Sequence, residues 1–133
     1  MGESGFIRGM RNSPKGRLKQ QLYDWGNTQE SLARRQKEWQ KWEKAQGISA
    51  EERKWEQERL EGAMSRIRQE KAKMDLRLEQ LSEEEQTYLF LRFQRGYGFE
   101  KIGLQMHMSR ATLFRLQDRC LEKLLAAEEV ETI

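Results

Sequence analysis

Seven residues near the C-terminus, Ser109, Arg110, Ala111, Thr112, Phe114, Arg115 and Arg119, have the types and spacing of a surface that holds DNA. Arginine bonds bidentately to guanine O6 and N7, and the methyl groups of alanine and threonine meet the thymine methyl. Ser109, Arg115, Arg119 and a helix N-terminus can hold phosphate oxygens. Arg110, Thr112 and Arg115 are the set expected nearest the bases. Catalytic chemistry has far less to work with. Cys120 is the one cysteine and His107 the one histidine; with no second soft ligand nearby a zinc site is unsupported, and neither residue has a partner that would make a nucleophile-and-base arrangement. There is no phosphate-binding glycine loop, and the acidic residues are interleaved with Lys and Arg as on a solvated helix face. The chain is expected to be no enzyme and to need no metal or cofactor.

The elements that would position these residues are legible around them. Ile102, Met106, Met108, Leu113 and Leu116 are spaced by four, two, five and three, which fits two short helices burying a shared face across a tight turn. Gly103 falls where the helices must approach closely. His107 occupies a turn position that often holds glycine, and histidine tolerates positive φ better than most residues. Ser109 is placed to cap a helix starting at Arg110, whose inward stripe is Leu113, Leu116, Cys120, Leu121 and Leu124. Cys120 then reads as a small buried apolar residue. In front, Ser82 and Glu85 form a capping box for a helix with Tyr88, Leu89, Leu91 and Phe93 as its apolar positions, ending near Gly96.

An acidic capped start, L-R-F before a glycine-containing loop, then E-x-I-G and S-R-A-T-L-F-R resemble the fourth region of sigma-70-type factors. The segment is more similar still to small phage regulators of late transcription, the RinA and ArpU groups. The likeness covers roughly residues 78–125. It implies a C-terminal three-helix helix-turn-helix unit behind a charged helical segment, acting at promoters and through RNA polymerase. A plain three-helix bundle that binds protein would show the same apolar period, and that reading stays open.

With 36% apolar residues, 35% charged residues and a single proline, the composition favours long solvated helices over a sheet, so the fold class expected is all-α. No apolar run is long enough to span a membrane and no secretory core follows Met1, which points to the cytoplasm. Residues 1–81 hold 18 Lys and Arg against 13 Asp and Glu, whereas 82–133 hold 7 against 9. Phosphate neutralisation supplies much of DNA affinity, so a lone C-terminal unit with few cations should bind weakly. It would need a second copy, the basic N-terminus or a polymerase to hold it in place.

Four regions are expected: a flexible basic arm over 1–16, an amphipathic helical hairpin or coiled coil over 17–81, the helix-turn-helix unit over 82–127 and an acidic tail over 128–133. The arm carries Gly2, Gly5, Gly9, Pro14 and Gly16 beside Arg8, Arg11 and Lys15. A heptad seam runs through Leu18, Leu22, Trp25, Gln29, Leu32, Gln36 and Trp39, weakened at Gly26 and Asn27. Gly47 interrupts it, Ser49 with Glu52 restarts it, and Leu60, Met64, Ile67, Lys71, Met74, Leu78 and Leu81 continue it. Trp39, Trp42 and Trp55 flank the turn, either closing the hairpin's own core or anchoring a partner such as RNA polymerase. With Gln29, Gln36 and Lys71 on the seams an isolated hairpin would be only marginally stable, and a homodimer through the same apolar stripe is expected. Double-stranded DNA is the expected ligand and promoter regulation the expected function. A small-terminase-like packaging protein and a helical adaptor are the alternatives.

Overall fold

The structure, a computed structural model, describes residues 13–132, with side chains described through Glu128. Arg8 and Arg11 of the expected basic arm lie outside the described residues. Among the described residues every regular element is helical: α1 Pro14–Gly26, α2 Thr28–Lys44, α3 Ala50–Leu78, α4 Glu83–Leu89 running into a π-helical turn Phe90–Gln94, α5 Phe99–Met106 and α6 Arg110–Thr132. The chain is all-α in this sense, and no helix among the described residues is long and apolar enough to cross a membrane.

The described residues sort into two compact units, which divide the chain at other points than the sequence pattern suggests: one joins those from 13 to Gly26 to those from Met74 to Thr132, and the other is Asn27–Lys73. Helix α1 starts inside the expected arm. Pro14 suits a first helical position because its missing N–H has no partner there anyway, and Ser13 Oγ accepts from the Gly16 N–H at 3.0 Å. The heptad continuing past Gly26 does not stay one helix. Gly26, at the end of α1, lies so close to the π-helical turn that a Cβ there would overlap the Phe93 carbonyl oxygen, a tertiary approach that only glycine allows.

The first unit has one core, built from Leu18, Leu22 and Trp25 of α1, Met74 and Leu78 of α3, Leu81, Tyr88, Leu89 and Phe93, Ile102 of α5, and Leu113, Leu116, Cys120, Leu121 and Leu124 of α6. Full burial of such side chains contributes about 1.5–3 kcal/mol each, so most of the hydrophobic stabilisation of the chain resides here. The Trp25 indole N–H donates to Asp75 Oδ1 at 2.8 Å, which sets the end of α1 beside the stretch where the chain returns to this unit.

In the second unit the only buried apolar side chains among the described residues are Leu60 and Met64. Polar contacts tie α2 to α3: Arg53 Nη2 donates to the Ala45 carbonyl at 2.7 Å, Gln57 Nε2 to Glu43 Oε2 at 2.8 Å and Trp39 Nε1 to Glu61 Oε1 at 3.1 Å. Residue numbers rise on one helix as they fall on the other, so the two run antiparallel, joined through Gly47 at φ 76°. Seam positions Gln29 and Gln36 are exposed. Exposed ion pairs such as Arg59 with Glu38 are screened by water and add little, so this unit is held far less strongly than the first.

Candidate nucleic-acid interface

Helix α5 ends because His107 takes the left-handed conformation, φ 57° and ψ 48°, and the Met108 N–H turns back to the Gly103 carbonyl at 3.0 Å. This reversal brings α6 against α5 at Gly103, where an added Cβ would stand 2.8 Å from the Met108 carbonyl oxygen and 3.6 Å from Leu113 Cδ1. Ser109 then starts α6. Its hydroxyl accepts from the Thr112 N–H at 3.2 Å and lies 2.9 Å from the Thr112 hydroxyl. Ile102 and Leu113 are fully buried beneath the turn.

The result is a helix N-terminus facing water with Ser109, Arg110, Ala111 and Arg115 exposed, Thr112 half-buried and Phe114 45% exposed. Backbone N–H groups at such an end attract anions. Among the described residues neither Arg110 nor Arg115 pairs with a carboxylate, so both cations are available to a ligand. Arg119 is placed differently. Its Nε donates to Glu85 Oε2 at 3.0 Å and its Nη2 lies 3.3 Å from Glu84 Oε1, which turns it toward α4 and away from the free cations of the first turns.

Glu85 is the centre of the polar join between α4 and α6. It is fully buried and accepts from the Ser82 N–H at 2.8 Å, Lys123 Nζ at 2.9 Å and Arg119. Burial alone would raise its pKa, but the hydrogen bonds from Ser82, Lys123 and Arg119 prevail and hold the carboxyl at about 2. One helical turn away, the Tyr88 hydroxyl donates to Gln117 Oε1 at 2.6 Å, and burial raises the Tyr88 pKa well above its ordinary value. Burial pushes the Cys120 thiol up to about 12, with Glu85 adding to the effect, so it is an inert core residue. These contacts fix the angle at which α6 presents its first turns.

Sequence reasoning missed the cations and aromatics that adjoin this end of α6. Arg92 stands over the Phe99 ring at 5.0 Å and Lys101 over Tyr97 at 3.9 Å, while Phe99 stacks on Phe114 at 4.5 Å. The run R-F-Q-R-G-Y-G-F-E-K alternates cations with aromatics, a signal for nucleic-acid contact that the helical period of the flanking segments masks.

Trp39, Trp42 and Trp55 all lie in the second unit. Trp39 and Trp42 are half-buried, Trp55 is 64% exposed, and among the described residues no ring contact joins the three. Trp55 therefore takes no part in closing a core. Comparison of the chain with protein-family models, with curated proteins and with solved structures returns no match.

Proposed function

We propose that the chain is a sequence-specific DNA-binding regulator of transcription, with α5 and α6 as a helix-turn-helix and the first turns of α6 entering the major groove. The observation that carries this reading is the conjunction at one turn: left-handed His107, the close approach at Gly103, the Ser109 cap, and Arg110 and Arg115 exposed beyond it without a carboxylate partner. Helix-turn-helix readers contact base edges from this part of the second helix. The resemblance of residues 78–125 to phage late-transcription regulators agrees with it. Arg119, engaged by Glu84 and Glu85, serves to orient the helix and contributes less to the DNA contact than Arg110 and Arg115.

Few free cations make a single unit a weak binder, so two copies on a pair of half-sites, or one copy beside RNA polymerase, complete the function. The second unit, with exposed Trp55, is the part assigned to that partner. A binding selection from genomic fragments at near-physiological salt, with light scattering on the same sample, tests both statements. Enrichment of promoter-proximal sites by a dimer is the expected result, and a pool with no enriched sequence contradicts the reading.

A further inference from the structure

Arg110 and Phe114 are one helical turn apart on α6, and their side chains meet. The Arg110 guanidinium carbon lies 5.7 Å from the Phe114 ring centre and 6.0 Å from that of Phe99. The two rings are themselves stacked, 4.5 Å apart and 30° from parallel. Phe99 is anchored in turn: it packs on the core, approaches Tyr88 at 6.5 Å, and carries Arg92 over its ring at 5.0 Å. Arg92 is fixed by donating from Nη1 to the Tyr97 carbonyl at 3.1 Å. Phe114 itself is 45% exposed, so its ring is accessible to the Arg110 side chain at the surface.

An exposed arginine ordinarily samples many rotamers, and ordering it on a base diminishes the binding gained. A guanidinium held within about 6 Å of a ring centre has lost part of that freedom already, while its N–H groups stay able to bond a base. We infer that Phe99 and Phe114 are positioning residues that pre-set Arg110 to read guanine, so that the DNA site of this chain contains a G·C pair opposite the start of α6. This rests on the DNA-reading assignment above and names one base of its ligand. It gives Phe114 a task other than touching thymine or filling space.

The test uses the full-length chain and the duplex it selects, with each guanine replaced in turn by 7-deazaguanine, which lacks the N7 acceptor. At one position wild-type affinity should fall about tenfold, and the Arg110→Ala chain should be insensitive to that same replacement. Phe114→Leu, similar in bulk but without a π face, should lower the deaza effect about three- to fivefold, whatever change in overall affinity accompanies it. Phe114→Tyr should restore it. A Phe114→Leu chain that keeps the wild-type deaza effect overturns the inference and leaves DNA reading standing. A variant that loses helicity and unrelated-duplex binding together makes Phe114 a fold residue, which also overturns it. A selection yielding no preferred duplex removes the DNA-reading assignment itself, and the inference with it.

Discussion

Glu85 shows how one residue serves both the core and the placement of α6. A buried carboxylate is tolerated only because Ser82, Lys123 and Arg119 satisfy it, and the same bonds hold α6 to α4. Its pKa is lowered from 4.5 to about 2, so the stability it supplies is complete above the ordinary carboxylate value and is lost as pH falls from about 4.5 through about 2. Glu85→Gln should cost about 2 kcal/mol at neutral pH, after allowing for the half-exposed cations, and its difference from wild type should shrink over that window. Urea unfolding from pH 2 to 7 checks this, and parallel pH profiles would count against it. Cys120 gives a second readout. With its thiol at about 12 and fully buried, it should react with a disulfide reagent at pH 8 orders of magnitude more slowly in the folded chain than in denaturant.

At the level of elements, the local rules written into the chain were readable and the tertiary ones were not. The Ser82 and Glu85 capping box, the Ser109 cap, the left-handed His107 and the tight approach at Gly103 are all present, because each depends on residues within five positions of one another. The end of α1 at Gly26 was hidden. The heptad continues through it, and the contact that requires glycine there is with the Phe93 carbonyl, 67 positions away in the sequence. The π-helical turn, where the Arg95 N–H reaches the Phe90 carbonyl at 3.0 Å, leaves no mark in hydrophobic period, and with it went the aromatic and basic residues around Phe99. Three glycines separate these effects. Gly103→Ala places a methyl against a backbone oxygen and should destabilise by about 1–3 kcal/mol. Gly26→Ala, where the overlap is worse, should cost more. Gly62→Ala, in α3 with nothing within 4 Å, should instead stabilise by about 0.5–1 kcal/mol. Thermal midpoints that fall equally for all three would contradict this ordering.

Across the whole molecule, a well-packed unit is interrupted by Asn27–Lys73, whose own core is thin. The chain leaves and rejoins the first unit beside the Trp25 to Asp75 hydrogen bond, so a short Gly/Ser linker in place of residues 27–73 should preserve its cooperative unfolding within about 1–2 kcal/mol. The shortened chain should keep its preference for the selected DNA, and under the proposed dimer it should sediment as a monomer where the intact chain does not. The most direct test of sequence reading compares affinities for the selected site and for an unrelated duplex at one salt concentration, using the intact chain and Arg110→Ala/Arg115→Ala. Each lost base contact is worth about 1–3 kcal/mol, so the ratio of the two affinities should collapse by about tenfold or more while helicity is kept. A ratio unchanged by the double substitution would mean that the start of α6 does not read DNA.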